Sequence, residues 1–135
     1  MNRGLPNMTA AGGRSALRSK DPRAQFGLDF DYSGETTRVL LYGELDALSA
    51  PAFRAALLTL AERENRVVSI DLSRLVFCNI GGLRAMAELA ARLHALGGRV
   101  EIIDPAVLTR MLELDDLVSL FVVRQAEPGR LSRIA

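Results

Sequence analysis

The chain has 135 residues, 49% of them hydrophobic and 24% charged, with a formal net charge of +1. That length holds one domain and buries roughly two thirds of the surface its unfolded chain exposes, so a core can form without disulfide or metal staples. The composition excludes disordered and fibrous classes, and no run approaches the ~18 to 20 apolar residues of a membrane span.

Charge is unevenly placed. Residues 1–25 carry Arg3, Arg14, Arg18, Lys20 and Arg23 against Asp21, 5 − 1 = +4, while the remainder carries 12 basic and 15 acidic residues, 12 − 15 = −3. Gly, Pro, Ser and Asn punctuate this start without apolar periodicity, so residues 1–25 read as a disordered basic leader, or as an extension preceding a true start at Met8. With no aromatic residue to stack on bases and no dense basic run, it predicts no nucleic-acid partner. It also lacks the apolar core of a signal peptide, so a cytoplasmic location without membrane insertion is expected.

From Phe26 the pattern changes. Phe26, Leu28, Phe30 and Tyr32 alternate with Gly27, Asp29 and Asp31, the period of a half-buried strand, and a turn at Ser33-Gly34-Glu35 pairs it with a second strand over Thr37 to Tyr42. Ser49-Ala50-Pro51 opens a helix whose stripe is Phe53, Ala56, Leu57, Leu60 and Ala61. Arg66 to Leu72 is a nearly continuous apolar strand, as in a parallel sheet covered on both faces. A second helix follows, with Leu83, Met86, Ala87, Ala90, Leu93 and Leu96 inward and Arg84, Glu88 and Arg92 outward, ended by Gly97-Gly98.

Val100 to Ile103 is the next strand. Asp104-Pro105 then supplies an N-cap and first-turn proline for a third helix with a stripe of Val107, Leu108, Met111 and Leu112, and Leu117 to Val123 is the last strand. The order strand, strand, helix, strand, helix, strand, helix, strand implies an α/β sandwich: a mixed, mostly parallel sheet of about five strands with about three to four helices packed on it. The domain spans 26–125, and 126–135 form a tail.

Enzymatic chemistry has little footing. His94 has no cysteine or carboxylate at a metal-ligand interval and reads as a structural histidine. Gly81-Gly82 and Gly97-Gly98 lack phosphate-loop spacing. The acid pairs Glu44 with Asp46 and Asp115 with Asp116 have no nucleophile or base partner and read as solvated acids. Cys78, the one cysteine, fits a reducing compartment; a small buried hydrophobe is favoured over a redox thiol. No catalytic residue, metal or cofactor is expected.

Four segments in order resemble the STAS domain of bacterial anti-sigma factor antagonists. LLYGELDALSAPAFRAAL (Leu41 to Leu57) is similar to the family's Gly-Glu-Leu-Asp, spacer, Ala-Pro, helix; IDLSRLVFCNIGGL (Ile70 to Leu83) is similar to a Leu-Asp-Leu-Ser strand followed by Phe-x-Asp-Ser-Ser-Gly-Leu. GGRVEIIDP (Gly97 to Pro105) and VLTRMLELDDLVSLFVV (Val107 to Val123) fall where its later elements belong.

The resemblance implies a STAS-like fold and a transcription-regulating interaction module whose partner is an anti-sigma factor or serine kinase-like regulator, the module itself being a monomer or weak homodimer. It implies a partner surface of Asp46, Asn79, Ile80, Gly81 and Arg84. It also implies a loss: the serine that the partner kinase phosphorylates stands where this chain has Ile80, and the preceding aspartate is Asn79. Asn79 remains able to cap the following helix. Asp46 has two readings, a partner contact or an acid bonded to its own turn. Ile80 likewise either tucks into the core or projects as a docking residue. Alternative readings within the fold are a STAS subunit of a lipid or anion transport complex and a small-ligand sensor.

Overall fold

The structure, a computed structural model, describes residues 14–18, 25–31, 35–63, 65–108 and 121–124. One mixed sheet holds six strands in sequence order: β1 (Arg14–Arg18), β2 (Phe26–Asp31), β3 (Thr36–Leu45), β4 (Val67–Cys78), β5 (Arg99–Ile103) and β6 (Phe121–Arg124). β2 lies antiparallel to both of its neighbours, β1 and β3, and β3 through β6 run parallel. The crossovers carry α1 (Ala50–Ala61) between β3 and β4 and α2 (Ile80–Ala95) between β4 and β5.

This is the mixed, mostly parallel α/β sheet that the order of elements implies, with one strand more. β1 lies inside the stretch read as a disordered leader and pairs residue for residue with β2, from Arg14↔Asp31 to Arg18↔Gly27. The free backbone edge of β2 supplies the pairing groups, so no apolar alternation in β1 is needed to hold it. The other residues of 1–25, apart from Gln25, and the 126–135 tail lie outside the described residues.

Core packing follows the register. Leu28 pairs with Leu41, Val39 with Ile70, and Ile70 with Ile102, so one face of the sheet is apolar. Phe53, Leu57 and Leu60 of α1 and Leu83, Met86, Leu89 and Leu93 of α2 are buried with them. Phe26 and Phe53 meet edge to face at 5.8 Å and 75°, a geometry that adds about 0.5–1.5 kcal/mol to burial.

Three details depart from the sequence reading. Leu96, placed on the inward stripe, is 52% exposed. It caps α2, whose end is a left-handed turn at Gly97 (φ +83°) with Gly98 N–H donating to Leu93 O (2.7 Å) and Gly97 N–H to His94 O (3.0 Å), so Leu96 leaves the helical phase. Asp104 does not take the extended N-cap conformation: its φ is +55°, its N–H donates to Arg124 O (2.8 Å), and Pro105–Leu108 form a 3₁₀ turn. Two α-helices are therefore described against the three to four expected, and Met111 and Leu112 of the expected third lie outside the described residues.

β4 is also longer than its apolar run, because it is bulged twice. Leu40 pairs with Asp71 and Tyr42 with Arg74, so Leu72 and Ser73 together oppose Leu41; Gly43 pairs with Leu75 and Glu44 with Phe77, leaving Val76 unopposed. Asp71 Oδ1 accepts from Ser73 N–H (2.9 Å) and braces the first bulge. Each bulge advances the facing by one residue, so the buried positions run Leu72, Leu75, Cys78, three apart instead of two. Val76 and Phe77 consequently both face outward.

Gly43, within β3 and opposite Phe26 of β2, has φ +87°; beside it Glu44 N–H donates to Gln25 O (2.8 Å), and an added Cβ would run into that same carbonyl. Gly43→Ala combines a left-handed non-glycine with a backbone clash and is expected to cost about 2 kcal/mol or more in urea unfolding; a loss under about 0.5 kcal/mol would contradict this geometry.

Candidate functional site

The ends of β3 and β4 leave the sheet side by side. Leu45 pairs with Cys78, and Asn79 N–H donates to Leu45 O (2.9 Å), so Asp46 and Asn79 start their loops as neighbours. This brings the segment 44–50 against 76–84.

Asp46 is committed to its own turn. Its Oδ1 accepts from the N–H groups of Leu48 (3.0 Å) and Ser49 (3.2 Å), while Ser49 Oγ accepts from Asp46 N–H (2.9 Å) and donates to Glu44 O (3.0 Å). That is an Asx turn feeding the first turn of α1. The carboxylate is half-buried and its first role is structural.

Asn79 is extended (φ −86°, ψ 175°) and its Oδ1 accepts from Gly82 N–H (2.8 Å), capping α2. Gly82 sits where a Cβ would meet Leu45 Cγ at 2.7 Å and Cys78 Sγ at 2.9 Å. The helix start thus lies flat on the sheet end. Gly81 differs, because a Cβ there would meet nothing closer than Asn79 Oδ1 at 3.4 Å.

Ile80, the first residue of α2, is 40% exposed. Leu48, Val76 and Phe77 are also exposed, Val76 to 74%. This placement excludes the reading in which Ile80 tucks into the core. Arg84, one helical turn beyond Ile80, is exposed and makes no ion pair among the described residues. Glu88, the next residue on that stripe, is taken by a two-bond pairing with Arg54 of α1 (3.0 and 2.9 Å) and by Arg92 (3.7 Å).

Sequence periodicity missed Leu48, Val76 and Phe77. For Val76 and Phe77 the sequence signal was that apolar residues continue past Leu72, where the strand was expected to end; bulges do not announce themselves in composition.

Cys78 lies beneath the loop, 6% exposed. Burial pushes its thiol from 9.0 up to about 12, partly opposed by the Leu83 backbone N–H, and its Sγ donates to Asn79 O (3.3 Å). A thiol so placed holds almost no thiolate at neutral pH, which argues against a redox role. His94 is exposed, and no metal-holding cluster occurs among the described residues. Glu44 is an exposed acid, whereas Asp115 and Asp116 lie outside the described residues. No described helix is long and apolar enough to cross a membrane.

A mixed sheet whose parallel half ends in an Asx turn and an asparagine-capped helix defines a STAS-type α/β domain. Residues 28–122 match the STAS_2 family model, described as Mlab, STAS domain, and the chain belongs to that family. In fold it is similar to an anti-sigma factor antagonist from Mycobacterium paratuberculosis (TM-score 0.68, 22% identity, 83% of this chain and 96% of that one). It is also similar to the unphosphorylated anti-sigma factor antagonist SpoIIAA (0.62, 19%, 79% and 96%) and to the Bacillus cell-fate determinant SpoIIAA in its phosphorylated form (0.62, 20%, 80% and 99%). No curated protein matches the chain.

Three substitutions test the loop. Gly82→Ala is expected to destabilise because α2 must lift from Leu45 and Cys78, whereas Gly81→Ala is expected to stabilise by about 0.5–1 kcal/mol, the ordinary gain of alanine over glycine in a helix; like signs in chemical denaturation would contradict the packing. For Cys78, the folded value lies above the unfolded one, so its contribution is full below about pH 9 and is lost as pH rises toward about 12. Stability of the wild type should therefore fall more steeply across that window than that of Cys78→Ala, as read from unfolding midpoints against pH.

Proposed function

We propose that this protein is a non-catalytic protein-interaction module, anti-sigma factor antagonist-like, that docks a protein regulator without phosphorylation control at the usual position. The observation that carries this reading is Ile80: it stands exposed at the start of α2, in the position the resemblance assigns to the phosphorylated serine. SpoIIAA exists in phosphorylated and unphosphorylated forms. A phosphate adds about −1.5 to −2 charge and would repel or desolvate a packed interface. Residues 76–84 of this chain contain no hydroxyl at all.

The loop keeps its shape without that hydroxyl. Asn79 supplies the cap, and an isoleucine replaces a switchable group with apolar surface. Burying it on association contributes roughly 1.5–3 kcal/mol. Exposed apolar patches of this kind mark interaction sites, and the partner proposed is an anti-sigma factor or serine kinase-like regulator in a bacterial cytoplasm. Nothing in the site supports an enzyme.

A second reading is a STAS subunit of a lipid or anion transport complex that grips its partner through the same surface. The identity of the bound protein separates the two.

Incubated with its cognate kinase and labelled ATP, the protein is expected to stay unlabelled; labelling that releases the partner would overturn the reading. Ile80→Glu should weaken partner binding at least about tenfold, the order of one buried aliphatic side chain, with an unchanged thermal midpoint. Unchanged binding would remove Ile80 from the interface.

A further inference from the structure

The end of β4 has two ways to pair with β3. As it stands, Gly43 pairs with Leu75, Glu44 with Phe77 and Leu45 with Cys78, and Val76 is left unopposed between them. Drawn out of its bulge, the same strand would pair Glu44 with Val76 and Leu45 with Phe77, because a one-residue slip turns every side chain beyond it to the other face. Phe77 would then enter the core beside Leu45, and Cys78 would leave it. The observed pairing buries the smaller of the two: Cys78 is 6% exposed, Phe77 47% and Val76 74%. Hydrophobic area alone favours the reverse.

The seat of α2 opposes it. A Cβ at Gly82 would already meet Cys78 Sγ at 2.9 Å, so the space beneath the helix start holds a thiol and not a phenyl ring. The slip would also break the bond from Asn79 N–H to Leu45 O. Yet this helix start is weakly built. Two of its first three residues are glycines, Gly81 and Gly82, the poorest helix formers other than proline. Asn79 holds the turn by its cap bond to Gly82 N–H (2.8 Å). Position 82 needs glycine for the seat, whereas at Gly81 a Cβ would make only ordinary contact. A spare strand residue thus stands beside a helical turn that unwinds at low cost.

We propose that β4 has a second, minor register in which Val76 joins the ladder, Phe77 packs against Leu45, Cys78 turns outward and the first turn of α2 lifts from the sheet. Bulge and helix seat then form one two-state element: α2 seated goes with Phe77 out, and α2 lifted goes with Phe77 in. The exchange withdraws Phe77 from the surface proposed above to dock a regulator, but the strand itself carries it, whatever docks there.

The buried thiol reports the second register. Cys78 of the native full chain is labelled with iodoacetamide, its rate is divided by the rate in the unfolded chain, and this opening constant is compared with the global unfolding constant from urea titration. Wild type is expected to open Cys78 at least about tenfold more often than it unfolds, as a local opening does. Deletion of Val76 leaves Leu75 and Cys78 inward on a regular strand with no residue to spare, and Phe77→Ser removes the ring whose burial drives the slip. In each variant the two constants should agree to within about twofold. Wild-type labelling no faster than global unfolding would overturn the proposal. Excess labelling that persists in either variant would do the same, since it marks fraying of α2 without a slip. Phe77→Ser changes an exposed side chain and decides the matter if the deletion variant does not fold.

Discussion

The functional end of this domain depends on the seating of Gly82 against Leu45 and Cys78. An added Cβ would overlap both side chains, so α2 can begin this close to the sheet only with glycine there. The Asn79 N–H to Leu45 O bond and the Asn79 cap on Gly82 hold the approach from either side. Once position 82 faces the sheet, position 80 is settled by helical geometry: two residues earlier is about 200° around the axis, away from the sheet. Ile80 is exposed because Gly82 is buried.

The bulges in β4 extend that logic to the strand. A regular strand would have alternated its apolar residues between core and outer face; the extra residues at Leu72-Ser73 and at Val76 shift the phase so that Leu75 and Cys78 stay inside while Val76 and Phe77 turn out. The loop between strand and helix thus combines opposite fates within a few residues. Its one nucleophilic atom, the Cys78 thiol, is buried and held protonated, and its exposed groups are ones that associate without reacting. This balance is the one the proposed docking role calls for.

The helices show where sequence reading works. Proline at the start of α1, asparagine before α2 and paired glycines after it are local signals: Pro51 and Asn79 fall within a residue of a helix end, and Gly97 lies two residues beyond Ala95. β1 escaped because an edge strand is held by backbone pairing, which leaves no mark in side-chain periodicity. Leu96 falls on the inward stripe only if the helical period runs one residue past Ala95, where the helix ends ahead of the left-handed turn at Gly97. Asp104 followed by proline reads as a cap, yet the N–H to Arg124 O bond, made across the sheet, draws it into a left-handed turn.

By itself the sequence determined the chemistry available at this site: no hydroxyl between Val76 and Arg84, an amide in place of a carboxylate at Asn79, and an α/β order set by apolar periods and terminal residues. Tertiary structure decided which groups are free to use it. Asp46 is spent on its turn, Glu88 is claimed by Arg54 from another helix, and Ile80 and Arg84 are left facing outward. Residue types determine what a side chain can do, but its freedom depends on register, bulges and helix seating, which arise only between segments distant in the chain.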